Sequence, residues 1–132
     1  MSHSCRRERL PRIGIFDHVS LRLGGSQLVV AHMAETLSRE YSVEIVHSGL
    51  GYSLPALEDA FEVDLSLVKQ RIVKDSLRTF SPPGLRTSLL RQRLAADREL
   101  TEPYDLFIYS GHGAPPFCYA GRGLIYCHFP FE

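Results

Sequence analysis

Two patterns of apolar positions alternate along the chain. Short runs of apolar residues are typical of strands, and apolar residues that recur every three or four positions are typical of helices. The runs predict five strands, at residues 12–18, 41–47, 62–68, 104–110 and 123–129. The helical spacing predicts three helices, at residues 26–39, 54–61 and 85–100. Strands and helices that alternate in this way indicate an α/β fold.

Most of the predicted strands are nearly continuous apolar runs, beginning at Ile13, Val43, Leu106 and Leu124. Such runs are typical of strands covered on both faces, as in a parallel sheet with helices on each side. Right-handed crossovers then favour the strand order 3-2-1-4-5. We therefore predict an open, parallel, Rossmann-like sheet of about five strands, with helices on both faces, in one domain over residues 12–132.

This strand order places several polar residues at one edge of the sheet. The chain reverses direction between strands 1 and 4, and ligands of open α/β sheets bind in the crevice at that reversal. Three loops meet there, at residues 17–25, at residues 110–119 and from residue 128 onward. They hold the candidate site residues Asp17, His18, His112 and His128.

Two adjacent glycines, Gly24 and Gly25, precede the first predicted helix. We expect Ser26 to be its N-cap. The apolar stripe that we expect this helix to bury consists of Val30, Met33, Ala34 and Leu37. Glycines ahead of a helix let a ligand approach the free amides of the first turn, where the helix dipole favours an anion such as phosphate. The alternative is that the pair only permits a tight turn.

The candidate side chains also have structural interpretations. A neutral imidazole at His128 would hydrogen-bond a ligand hydroxyl or relay a proton near neutral pH, although strand-end histidines are often structural. Asp17 would equally cap its own loop. His112 lies in a loop whose shape glycines and prolines fix. Three other histidines have no partner visible in the sequence and are assigned to the surface or to local packing: His3, His32 and His47.

Composition narrows the class of protein. The 132 residues carry a formal net charge of zero, which favours neither nucleic acid nor acidic substrates. Three cysteines without a CxxC pair indicate a reducing compartment, so we expect a cytoplasmic protein. Residues 1–11 are polar and basic, and we expect a disordered tail there. We find no secretion signal and no apolar run long enough for a membrane-spanning helix.

A metal site is not expected. His112, Cys118, Cys127 and His128 include soft ligands, but their spacing fits no usual zinc pattern. Cys127 and His128 are also neighbours on a predicted strand, so their side chains would point to opposite faces.

Positive charge is concentrated in one part of the chain, although it cancels overall. A helix with this charge and with Leu89, Leu90 and Leu94 would suit an anionic membrane surface; the alternative is a solvated arginine face. The basic residues are Lys69, Arg71, Lys74, Arg78, Arg86, Arg91, Arg93 and Arg98.

The order of these motifs resembles the N-terminal half of a GT-B glycosyltransferase of family four. The similarity covers about residues 12–132 and includes "GGSQ" before a helix, "YSVEIVH", "YDLFIYSGH" and "GLIYCHFPFE". In that family the glycine loop commonly reads GGAE or GGxE. Gln27 therefore departs from the usual glutamate, which puts any role of that carboxylate in doubt.

The resemblance implies retaining transfer of a sugar from a nucleotide-diphosphate sugar to a hydroxyl acceptor, usually without a bound metal. It implies that Gly24 and Gly25 offer amides to the donor diphosphate or to an acceptor phosphate, and that His128 lies beside the transferred sugar. A lipid-linked acceptor would explain a peripheral contact with the inner face of a membrane.

The resemblance also implies a second domain that binds the donor nucleotide. A doubly wound sheet normally returns through another helix after its fifth strand, whereas only a few residues follow that strand here. We therefore expect a chain truncated after strand 5, without the C-terminal donor-binding domain and without activity by itself. The alternative is a stand-alone flavodoxin-like binding or signalling domain.

Overall fold

A computed structural model describes residues 9–17, 23–49, 53–73, 86–111 and 114–128. Five parallel strands form one sheet in the order β3-β2-β1-β4-β5, which confirms the predicted fold class and strand order. The strands are β1 (Arg12–Asp17), β2 (Ser42–His47), β3 (Lys69–Ile72), β4 (Leu106–Gly111) and β5 (Arg122–Cys127). The helices are α1 (Gly25–Ser38), α2 (Leu54–Phe61) and α3 (Arg86–Thr101).

Each face of the sheet carries its own hydrophobic core, because successive strand residues point to opposite faces. One face packs against α1 and α2, and its core includes Ile15, Ile45 and Ile108. The other face packs against α3, and its core includes Phe16 and Phe107. The three central strands are thus covered on both sides, as their continuous apolar sequences predict.

The N-cap of α1 lies two residues before the position predicted from the sequence. Gly24 is the N-cap, so Ser26 lies inside the first turn and is not the cap. The cap interaction comes instead from Gln27, whose Oε1 accepts the Gly24 N–H at 3.0 Å. A glutamine three residues after the N-cap can reach back in this way, and it leaves the Ser26 hydroxyl with no capping role.

The prediction of a strand at residues 62–68 is wrong. This segment is a loop and turn, and β3 begins at Lys69. Val63, Leu65 and Val68 are buried in the core beneath α1 and α2, so their alternation reflects burial of a loop. The observed strand, Lys69–Ile72, is mostly polar because it is an outermost strand of the sheet, with a strand on one side only.

The prediction that the fifth strand is covered on both faces is also wrong. Leu124 and Ile125 point to opposite faces and are 47% and 60% exposed. Polar contacts from α3 hold the segment that leads into this strand. The Asp97 carboxylate accepts the Phe117 N–H at 3.0 Å, and Thr101 Oγ1 accepts the Tyr119 N–H at 2.8 Å. None of the helices in the described ranges is long and apolar enough to cross a membrane.

Candidate functional site

The candidate residues that the structure describes lie at the carboxyl edge of the sheet. Because all the strands are parallel, the ends of β1, β4 and β5 emerge at this same edge. Asp17 and Ser110 are partners across β1 and β4, and each is 1% exposed. Gly24 precedes α1 and His128 follows β5 at the same edge, as the predicted strand order requires.

Ser110 holds the side chain of His128 in place. Its Oγ lies 2.7 Å from Nε2 of the imidazole, and the Tyr126 ring meets the imidazole edge-on at 4.9 Å between centroids. Ser110 pairs with Tyr126 across β4 and β5, so the strand register brings these residues together. Sequence analysis missed Ser110, although a polar residue that ends a buried apolar strand is a usable signal.

Neither glycine at the start of α1 is required by the conformation or the packing of the described residues. Gly24 has an extended backbone, with φ of −147° and ψ of −169°, which any residue can adopt. A Cβ built on Gly25 meets no described atom within 4 Å. By contrast, Gly49 has φ of +95° and does need the conformational freedom of glycine. The tight-turn interpretation of the glycine pair therefore loses its main argument.

The first turn of α1 presents backbone donors at this edge. Leu28 N–H donates to Gly24 C=O at 3.1 Å, which is the first hydrogen bond of the helix. The N–H groups of Gly25, Ser26 and Gln27 come before it and therefore have no acceptor within the helix. The Gly24 amide is not available to a ligand in the same way, because Gln27 Oε1 accepts it. This modifies the expectation that both glycines offer amides.

The Gln27 side chain is buried, at 2% exposed. Its Oε1 is engaged by Gly24, whereas Nε2 has no hydrogen-bond partner in the described part of the chain. A backbone N–H can only donate, so the Gly24 contact fixes which end of the carboxamide is oxygen. The Nε2 donor of Gln27 is thus buried in a fixed orientation at the N-terminus of α1.

His47 ends β2 at this edge and is completely buried. Its Nδ1 accepts the Gly49 N–H at 2.9 Å, so the neutral ring carries its proton on Nε2. Burial lowers the pKa of His47 below the ordinary value of 6.5. The assignment to local packing, made from the sequence, fits these contacts, but its full burial was not foreseen.

Two of the candidate residues, His18 and His112, lie outside the described residues, so their place in the site stays a prediction. The described parts of the chain contain no group of three potential metal ligands. Cys118 and Cys127 are both exposed.

A second polar network lies toward the amino ends of the strands, on the α3 face. The Tyr104 hydroxyl donates to the Glu44 carboxylate, and the Arg71 guanidinium donates to the Tyr104 oxygen at 3.3 Å. Arg71 also donates to the last carbonyls of α3, at Glu99 and Leu100. Arg12 lies over the Tyr104 ring, 5.4 Å from its centroid. Burial and the Glu44 hydrogen bond raise the pKa of Tyr104 from 10.0 to about 12.

The chain was compared with protein-family models, with curated proteins and with solved structures, and none of the three comparisons found a significant match. Its function is therefore inferred from the placement and chemistry of its own residues.

Proposed function

We propose that this domain is the acceptor-side half of a GT-B glycosyltransferase that transfers a sugar from a nucleotide-diphosphate sugar to a hydroxyl acceptor. One observation carries the proposal. The glycine pair, which neither backbone conformation nor described packing requires, begins a helix at the same sheet edge as His128. A missing Cβ with no internal reason is what close approach by a ligand needs.

The chemistry of this edge of the sheet suits a negatively charged sugar donor, the nucleotide-diphosphate sugar. Departure of a nucleotide diphosphate places negative charge on its oxygens, and preorganised donors stabilise such charge best. The first-turn amides of α1 point into the region where the helix dipole also favours an anion. The role of these amides is to bind a diphosphate, or a phosphate of the acceptor, without a metal ion.

His128 supplies the second part of the proposed site. Ser110 fixes the ring through Nε2 at 2.7 Å, so the imidazole is oriented before a ligand arrives. An imidazole held at the mouth of the crevice hydrogen-bonds a sugar hydroxyl or exchanges a proton with it near neutral pH. The strand order 3-2-1-4-5 supports this proposal over the flavodoxin-like alternative, whose usual order is 2-1-3-4-5.

The test is a ¹H–¹⁵N NMR titration of the 132-residue chain with uridine, guanosine and adenosine diphosphate sugars, with flavin mononucleotide as the comparison ligand. We expect one class of nucleotide sugar to shift the amides of Gly25 and Ser26 together with the His128 ring signals. A flavin that shifts these signals, or the absence of any shift with every nucleotide sugar, would overturn the proposal.

The same samples test the expectation that this chain alone is inactive. With an added hydroxyl acceptor we expect no transfer of sugar and no release of nucleotide diphosphate, measured by mass spectrometry. Turnover by the purified chain would contradict the expectation that transfer needs a second domain.

A further inference from the structure

The Gln27 carboxamide is a polar group that the fold alone does not explain. Its oxygen caps Gly24, but its nitrogen is covered and has no acceptor among the described residues. A buried donor without a partner costs free energy, and native proteins contain few of them. A methionine or leucine would fill the same space but would leave the Gly24 N–H without its acceptor. Capping therefore explains the oxygen of Gln27 but not its nitrogen.

Three features converge at the same helix terminus. The first-turn amides of α1 precede the first intrahelical acceptor. The space next to Gly25 is open among the described residues, since a built Cβ meets nothing there within 4 Å. Gln27 adds a donor that its own capping bond holds in one orientation. The backbone amides and Nε2 all donate, and the acceptor of the same carboxamide, Gln27 Oε1, is already engaged by Gly24.

We infer that Gln27 is a specificity residue, whose Nε2 donates to an oxyanion of the phosphate class bound at the α1 terminus. This inference rests on the proposed function and deepens it, because it names the charge of the group that the site selects. Phosphate and diphosphate oxygens are acceptors only, so every donor in the cluster finds a partner. Since Nε2 is covered, the oxygen that pairs with it is taken below the surface, where salt screens the interaction little.

Substituting Gln27→Glu separates the capping role from the donor role. The variant keeps an oxygen to accept the Gly24 amide, but it replaces the donor with a carboxylate oxygen that repels an anion. We expect the dissociation constant for inorganic pyrophosphate to rise roughly tenfold or more. The matched control is Gln92→Glu, which adds the same charge on the exposed surface of α3. Its effect should stay below roughly twofold, because exposed distant charges are screened.

A second variant and a signal from the unaltered chain keep the test independent of folding. Gln27→Met removes the donor without adding charge, and it should weaken pyrophosphate binding by less than Gln27→Glu does. In the unaltered chain, pyrophosphate should shift the side-chain NH₂ signals of Gln27. Unchanged NH₂ signals, or binding by both folded Gln27 variants that matches the unaltered chain, would overturn the inference.

The outcomes distinguish this inference from the proposed function. Nucleotide-sugar binding that is insensitive to Gln27 would remove the inference and leave the function standing. Pyrophosphate binding that depends on Gln27, without any nucleotide-sugar binding, would do the reverse. Competition of pyrophosphate with a nucleotide-diphosphate sugar and with a simple sugar phosphate then shows whether donor or acceptor supplies the oxyanion, and either result supports the assignment.

Discussion

Polar side chains cluster at both ends of the strands, but they are arranged differently at the two ends. Toward the amino ends, the Tyr104 hydroxyl links the Glu44 carboxylate to the Arg71 guanidinium, which also donates to the carbonyls of α3. At the carboxyl edge, donors gather around the first turn of α1, and Ser110 orients His128.

Structural and functional polar residues can be distinguished by whether their donors and acceptors match one another. A network whose charges and hydroxyls match one another anchors a helix to the sheet, as Arg71 does for the end of α3. A cluster made of donors alone is complementary to something that brings acceptors. Substitutions toward the amino ends should therefore change stability without changing ligand binding, whereas those at the α1 terminus should change ligand binding.

The largest expected effect comes from Tyr104, which is 3% exposed. Tyr104→Ala removes its ring from the α3-side core and its hydroxyl from Glu44 and Arg71, so we expect a loss of about 3–5 kcal/mol in the free energy of unfolding. Tyr104→Phe keeps the ring and should lose about 1–3 kcal/mol. Urea unfolding measures both, and pyrophosphate affinity of the folded variants should be unchanged. A marked loss of affinity in folded Tyr104→Phe would contradict the division between the two ends.

Alanine substitutions at two glycines should change the free energy of unfolding in opposite directions. A Cβ on Gly14 would lie 2.7 Å from the Tyr104 ring, so Gly14→Ala should destabilise the protein by about 1–3 kcal/mol. Gly25→Ala meets no such obstacle and should stabilise α1 by up to about 0.5–1 kcal/mol. The same Gly25 substitution should weaken pyrophosphate binding, measured by calorimetry. A gain in stability with unchanged binding would show that the open space beside Gly25 is not used by a ligand.

The pH dependence of stability should also differ between the carboxyl and amino ends of the strands. At neutral pH this is the smallest of the effects expected here. The pKa of His47 is lowered in the folded state, so its contribution is present above 6.5 and is lost as pH falls below that value. The pKa of Tyr104 is raised, so its contribution is lost as pH rises from 10.0 to about 12. His47→Asn should flatten the acid side of the stability curve and Tyr104→Phe the alkaline side. Equal curves for variant and unaltered chain on either side would contradict the corresponding assignment.

Much of the fold could be predicted because local patterns match the global arrangement. The apolar runs at β1, β2 and β4 mark strands buried on both faces, and right-handed crossovers then leave few strand orders. The helix at Leu54–Phe61 was predicted with its observed bounds, since Pro55 in its first turn marks its start. The position of β3 could not be predicted, because the buried loop before it, with Val63 and Leu65, has the alternating pattern of a strand.

The site could be predicted only in part, because its contacts depend on strand register. The sequence places Gly24 and His128 at one edge, but it does not show that Ser110 faces His128. The capping bond from Gln27 depends on which residue becomes the N-cap, and Gly24 takes that place although Ser26 is the stronger cap by type.

The last turn of α3 is hydrogen-bonded to segments at both lateral ends of the sheet. Arg71 reaches its final carbonyls from β3, while Asp97 and Thr101 bind the segment that enters β5. These two strands are the outermost in the sheet and are not neighbours. A single turn of helix is therefore hydrogen-bonded to β3 and to the segment that enters β5. We expect fraying of one of these strands to loosen the support of the other, so that the two open as one cooperative unit.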